Sequence, residues 1–220
     1  MFRFKMIDLT HRLLPGEEQY TVEISQRGKP RETPTGDIMH DVHFWSHSGT
    51  HVEVSLHFYA GGKDVSDFPP ETFAGPAIRL DFRHKETNEP ISLEDLQQAG
   101  DIQQGDIVII WEGRDNLYRT KHSHDRPYVT AEAAAWLALE KKIKLLGTDS
   151  SGFEVRGVAT HPNHHLFFKE GVDIPVVECL TNLEKIPGQR FFFMGMPIPI
   201  KGLDASPIRA VALELDGVTV

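Results

Sequence analysis

Between His47 and His57 the chain reads His-Ser-Gly-Thr-His-Val-Glu-Val-Ser-Leu-His, and every imidazole and carboxylate in that run falls on an odd-numbered position. An extended strand points alternate side chains to one face, so the spacing predicts that His47, His51, Glu53 and His57 line up on a single side. A helix would keep His47 and His51 together but swing Glu53 away. Val52 and Val54 favour extended backbone through their branched Cβ atoms. Gly49 lets the main chain come close to whatever sits there. Imidazole and carboxylate together are the usual ligands of zinc or a similar divalent ion. Of the 12 histidines in 220 residues, five (His40, His43, His47, His51 and His57) fall in this one stretch. Burying several such groups without a shared counter-charge is costly. The run therefore points to a metal site with a spare histidine for acid–base work, while His40 and His43 read as structural.

One strand alone would leave a metal open to solvent, so further ligands must come from elsewhere. His161-Pro-Asn-His164-His165 sits at an expected helix start; one of its three histidines is a candidate ligand, and the spacing does not choose among them. Ile174-Pro-Val-Val-Glu178 is an apolar strand ending in a carboxylate, a position that suits a functional group and a surface acid equally. Leu146-Gly-Thr-Asp-Ser-Ser151 carries an acid and hydroxyls at the C-terminal end of an apolar run, where ligand-binding loops often sit. The same residue types also make ordinary turns. His122-Ser-His124-Asp125 lies among Arg119, Lys121 and Arg126 and reads as a solvated loop. Phe44, Trp45 and Tyr59 flank the metal strand and either line a pocket or pack in the core.

These groups need a scaffold, and short apolar runs bounded by Gly, Pro or Asp supply one. Phe4 to Leu9, Ala77 to Phe82, Ile107 to Trp111, Ile143 to Leu146, Pro175 to Val177, Arg190 to Met194 and Ile208 to Leu215 read as strands, several of them buried. Ser92 with Asp95 forms a capping-box signature. Thr130 is placed to cap a helix over residues 131–142, whose Ala-rich pattern favours helix and whose lysines suit its negative end. Asn163 opens a third helix reaching Glu170. The expected class is mixed α/β, α+β-like: one domain over residues 1–220, with a mostly β core, a few flanking helices and no regular βα alternation.

Bulk composition narrows the partners. The net charge of -9 argues against general nucleic-acid or anionic-membrane binding. No apolar stretch approaches the roughly 18 to 20 residues that span a bilayer. The start, Met1 to Met6, lacks the apolar core of a leader. A single cysteine, Cys179, excludes an internal disulfide and fits a reducing compartment, so cytoplasm is the expectation. No Gly-rich phosphate loop suggests an organic cofactor.

The residues also resemble a known family, the cyclase-like metal-dependent hydrolases that include bacterial kynurenine formamidase and isatin hydrolase. Its hallmark, His-x-Gly-Thr-His-x-Asp-x-Pro-x-His, is similar to His47 through His57 here. Similarity continues through Gly62 to Ser66, Phe73 to Pro76, Leu146 to Asp149, His161 to His164, Val177 to Leu180, Pro197 to Gly202 and Ser206 to Arg209. The resemblance implies that His47 and His51 bind one metal, that the acid at position 53 touches one ion or bridges two, and that His57 is the proton donor and acceptor. It also implies that His164 binds the second metal and Glu178 contacts both. The spacing of His164 to the Phe167-Phe168 pair mirrors an aliphatic pair in the family. The segment on to Glu178 is slightly longer than usual, which keeps His165 as the alternative.

Two departures touch the site: the family's Asp is Glu53 here, and its Pro is Ser55, which relaxes the backbone at the strand's exit. Glutamate reaches further, so Glu53 either still bridges or binds one ion and leaves the site mononuclear. A third concerns substrate. Leu14 to Tyr20 replaces the stretch where kynurenine-pathway members carry a tryptophan, so N-formylkynurenine is not the expected substrate. The implied chemistry is hydrolysis of a small amide, formamide, lactam or ester, with zinc, or manganese, acidifying water to a pKa of roughly 7. His57 would protonate the leaving group, a task suited to a side chain whose unperturbed pKa lies near ~6.5. The alternatives are a cyclase or dehydratase on the same site and a non-catalytic metal-dependent binding protein. The resemblance further implies a homodimer or homotetramer with its small-molecule pockets near subunit contacts.

Overall fold

The computed structural model describes residues 4–27 and 37–215. Its strands in chain order are β1 (Phe4–Asp8), β2 (Val22–Arg27), β3 (Met39–Phe44), β4 (His51–Glu53), β5 (Ala74–Asp81), β6 (Pro90–Ile91), β7 (Ile107–Trp111), β8 (Tyr128–Val129), β9 (Leu145–Thr148), β10 (Val176–Glu178), β11 (Arg190–Pro197) and β12 (Ala205–Leu215). Helices α1 (Leu93–Ala99), α2 (Ala131–Ala135) and α3 (Pro162–Phe167) lie between them. Eight strands form one sheet in the order β1-β12-β11-β5-β7-β9-β10-β4. Because β4 also pairs with β12 through Ala205 to Pro207, seven of the eight close into a barrel-like ring. The class is the expected mixed α/β with a strand-rich core. It is more regular than expected in one part: β5, β7, β9 and β10 run parallel, with helices in the crossovers.

The sequence of β7 explains that arrangement. Its Ile-Val-Ile-Ile-Trp is buried throughout. Ile107, Ile109 and Trp111 pack with Phe73, Val177 and Phe193 in one apolar cluster, while Val108 and Ile110 pack with Leu96, Leu137 and Phe167 in the other. A strand that is apolar on both faces belongs inside a helix-covered parallel sheet. Burying each such side chain contributes about 1.5–3 kcal/mol, which fixes the rim on which the site is built.

The helix signals are realised with shorter extents. Ser92 Oγ accepts from the Asp95 N–H at 3.1 Å and Asp95 Oδ2 from the Ser92 N–H at 2.8 Å, the anticipated capping box of α1. Thr130 Oγ1 caps α2 by accepting from the Ala133 N–H. The helix expected over 131–142 widens after Ala135, where the Lys141 N–H reaches five residues back to the Trp136 carbonyl. α3 starts at Pro162, one residue ahead of Asn163, and ends at Phe167 instead of Glu170; proline suits the first helical position. β2 and β3, a two-stranded hairpin, were not anticipated as strands because their polar residues hide the alternation. His40 and His43 sit on β3, exposed, with His43 Nδ1 3.5 Å from Glu23.

The long single strand expected over His47 to His57 is the main correction. Extended pairing covers only His51 to Glu53. His47 lies in a turn closed by the Ser48 N–H on the Trp45 carbonyl, and Gly49 just after it adopts φ 69°, a left-handed conformation that favours glycine; a Cβ there would stand 2.5 Å from Leu13 Cδ2. His57 ends a short 3-10 turn over Ser55–His57. Ser55, in the place of the family's proline, is not loose: its hydroxyl donates to Asp173 Oδ1 at 2.7 Å, and Asp173 is held by Lys63.

Candidate metal centre

Strand pairing brings the acids and imidazoles together. β10 runs antiparallel to β4, with Val176 opposite Glu53 and Glu178 opposite His51. His51 and Glu53, two residues apart on β4, therefore share a face as the alternation predicts. The turn at Gly49 folds His47 back onto that face, and α3 delivers His164 from the other side.

Each imidazole is oriented by a partner on the nitrogen that points away from the cluster. His51 Nδ1–H donates to the Gly49 carbonyl at 2.8 Å, leaving Nε2 bare. His47 Nε2–H donates to Asp204 Oδ2 at 2.8 Å, so Nδ1 faces inward. His164 Nδ1–H donates to Glu154 Oε1 at 3.2 Å, and the same oxygen accepts from the His164 N–H. Outer partners of this kind fix ring orientation and basicity in metal sites. The inward nitrogens converge on Glu53. Its Oε1 lies 2.9 Å from His47 Nδ1 and 3.4 Å from His51 Nε2, while its Oε2 lies 3.5 Å from His164 Nε2. Glu178 completes the group, 3.9 Å from His51 Nε2 and 3.8 Å from His164 Nε2.

Electrostatics show what this cluster wants. Burial works against charge on His47, but Asp204 and Glu53 outweigh it and push the imidazole up to about 10. His164 is raised well above the ordinary range: burial opposes the charge, and Glu154, Glu178 and Glu53 overcome it. Burial opposes the Glu53 carboxylate too, yet His164, His47 and His51 hold it well below its usual range. Glu53 Oε2 is nonetheless buried with no hydrogen-bond partner. His47 Nδ1 and His51 Nε2 lie 3.2 Å apart, within hydrogen-bond reach of each other, so both ring nitrogens are turned to the same point as the Glu53 carboxylate. An orphaned carboxylate oxygen and converging imidazoles are the donor set of a divalent ion. The residues fit the group.

The expected site residues take these places. His47, His51, Glu53, His164 and Glu178 gather, and His57 stands at the exposed rim with its Nδ1 2.9 Å from Asp204 Oδ2. His165 points elsewhere, with its Nδ1 3.2 Å from the Tyr59 hydroxyl. Glu154, His161 and His164 form a neighbouring trio whose potential ligand atoms lie within 4.8 Å of one another.

Sequence reasoning missed Asp204 and Glu154, which are single acids without local pattern. It also misread one loop. His122 pairs with Asp125 at 2.7 Å on the surface as expected, but His124 turns inward, its Nδ1 2.8 Å from Ser151 Oγ. Asp149 is buried in the tie between two strand exits, where it accepts from the Glu112 and Arg114 N–H groups at 2.7 and 3.0 Å. Burial pushes its carboxyl up to about 7. A cavity of about 280 Å³ opens above the cluster, with Trp45 and Tyr20 stacked on its wall at 5.5 Å between ring centroids. Of the three aromatics considered, Trp45 lines this cavity, while the Tyr59 hydroxyl donates to the His165 carbonyl.

The barrel-like fold and this cluster define a metal-site protein, and comparison with known proteins identifies the group. Residues 7–155 match the Cyclase family, described as "Putative cyclase", and the chain belongs to it. It is 26% identical over 206 residues to the kynurenine formamidase of Bacillus mycoides (strain KBAB4), covering 90% of this chain and 88% of that protein. It is 27% identical to a solved structure described as a potential metal-dependent hydrolase with cyclase activity, with a TM-score of 0.77 over 96% of this chain and 98% of the other. Isatin hydrolase A from Labrenzia aggregata shares the fold at 22% identity, with a TM-score of 0.80 over 96% and 93% of the two chains.

Proposed function

We propose that this protein is a metal-dependent hydrolase that cleaves a carbon–nitrogen bond other than a peptide bond in a small amide, formamide or lactam, or the corresponding ester. The observation that carries the reading is the division of Glu53: one oxygen faces His47 and His51, the other faces His164 and is otherwise unpartnered. His47, His51, Glu53, His164 and Glu178 would hold one or two divalent ions, zinc first and manganese as the alternative. The names of the kynurenine formamidase and metal-dependent hydrolase relatives support it.

When bound, the ion would supply Lewis acidity toward a carbonyl and toward water. The chain's own residues do the rest. Asp204 takes the Nδ1–H of His57, which leaves Nε2 of this residue at the cavity rim free to accept a proton and return it to the leaving nitrogen or oxygen. Trp45 and Tyr20, stacked on each other in the cavity wall, would offer aromatic surface to a substrate. Proton transfer of this kind would serve a cyclisation equally well, so product analysis decides the reaction type.

The remaining features are proposed with it: a single domain over residues 1–220, a cytoplasmic setting consistent with one buried free cysteine, Cys179, and a homodimer or homotetramer. An assembly would cover the apolar face of the β2–β3 hairpin, where Ile24 and Val42 are 54% and 56% exposed. Among the described residues no helix is long and apolar enough to cross a membrane.

The test is elemental analysis of the purified protein, followed by assays on formanilides, lactams and aryl esters before and after chelation. Bound zinc or manganese with chelator-sensitive hydrolysis is the expected result. Full activity after complete removal of metal would overturn the reading.

A further inference from the structure

In the same cavity as Glu53 and Glu178, Ser151, His124 and Gln19 form a chain whose hydrogen positions are fixed by valence. Ser151 Oγ lies 2.8 Å from the Ser123 carbonyl and 2.8 Å from His124 Nδ1. A carbonyl only accepts and a hydroxyl has one hydrogen, so Ser151 donates to Ser123 and must accept from His124. The proton of the neutral ring is therefore on Nδ1, and Nε2 carries a bare lone pair. Gln19 meets that lone pair with its amide nitrogen at 3.4 Å, a long contact from an exposed side chain. His124, Gln19, Ser123 and Ser151 all line the cavity that holds Glu53, His57 and Glu178. The ring stays neutral for reasons independent of this chain: burial, then Arg126 and Arg156, lower its pKa.

We propose that His124 Nε2 is a specificity-determining acceptor that replaces its weak Gln19 contact with a hydrogen bond from an N–H or O–H on the substrate. The inference rests on the hydrolase reading and narrows it to substrates bearing a second donor, an amino or hydroxyl group, away from the scissile bond. An acceptor in a half-buried pocket discriminates because an analogue lacking the donor leaves it unsatisfied or still tied to Gln19.

The experiment compares formanilide with its 2-, 3- and 4-amino derivatives on the metal-loaded protein, its His124→Asn variant and its His124→Gln variant. Asparagine keeps a donor near Ser151 but has no acceptor at the Nε2 position; glutamine restores one there. The readout is the ratio of kcat/KM for each amino derivative to that for formanilide. For at least one derivative the ratio falls about 3- to 10-fold in His124→Asn and recovers in His124→Gln. Ratios equal in all three proteins would overturn the proposal. If none of the four is hydrolysed, the hydrolase reading fails on this class. Calorimetric binding of the same compounds then still decides His124: an amino preference lost in His124→Asn and regained in His124→Gln upholds the proposal, and equal affinities or no binding overturn it.

Discussion

His57 and Asp204 stand 2.9 Å apart, Nδ1 to Oδ2, across 147 residues of sequence. The same oxygen lies 2.8 Å from His47 Nε2, and the other carboxylate oxygen accepts from the Ser46 hydroxyl at 2.9 Å. One aspartate thus orients both a proposed ligand and the proposed proton carrier. Asp204→Ala is expected to weaken zinc affinity by about 10- to 100-fold and to lower kcat even at saturating metal. Zinc titration with a competing chelator, paired with turnover at saturating zinc, measures both. A variant with native affinity and native kcat would show that Asp204 positions neither histidine.

His57 itself is expected to separate binding from chemistry. Its place at the rim leaves the buried cluster intact when it is removed. His57→Ala should keep the metal content of the native protein while kcat falls by about 10²–10⁴-fold. Loss of metal along with activity would make His57 a ligand and reverse the assignment.

Glu53→Gln keeps the side chain's size and removes its charge. Three imidazoles face this residue, and its partnerless oxygen stays buried. Without the carboxylate, any ion shared between the His47/His51 side and the His164 side loses its common ligand. The metal-to-protomer ratio after dialysis should fall, to at most one if the native protein holds two. An unchanged ratio would show that the two sides are filled independently of Glu53.

What the sequence made legible was the chemistry, more than the path that assembles it. His51, Glu53 and Glu178 could be read because strand alternation and a strand's C-terminal end are local rules, and β4 and β10 obey them. His47 and His57 arrive by other means, the left-handed Gly49 turn and the Ser55–His57 turn, neither of which follows from period two. Asp204 and Glu154 were invisible because an acid that orients a histidine over 147 or 10 residues leaves no spacing of its own. The parallel β5-β7-β9-β10 segment was underestimated for a related reason: its crossover helices are only five to seven residues long. The inward turn of His124 depends on a hydroxyl on a different loop, and its charged neighbours in sequence gave the opposite impression.

Gly49 should be intolerant of a side chain. Its φ of 69° strains any other residue, and a Cβ would press to 2.5 Å from Leu13 Cδ2. Gly49→Ala is expected to cost about 1–3 kcal/mol, measured by urea denaturation. Because the turn aims His47, zinc affinity should fall with it. Native stability and affinity would mean that Leu13 and the turn relax freely.

Asp149 gives the fold a pH dependence with a definite sign. Its carboxyl, buried and pushed up to about 7, binds a proton in the folded chain at pH values where the unfolded chain, near 3.8, has lost it. Between those values the folded state holds more protons, so stability falls as pH rises from about 4 to 7 and levels off above. The full penalty is on the order of 2–4 kcal/mol. Asp149→Asn cannot ionise, although its single acceptor oxygen satisfies the Glu112 and Arg114 N–H groups less well than two carboxylate oxygens. The variant should therefore start less stable at pH 4 but lose less between pH 4 and 7. Denaturant midpoints for both proteins across that range measure the difference, and parallel curves would mean that Asp149 does not titrate in this window.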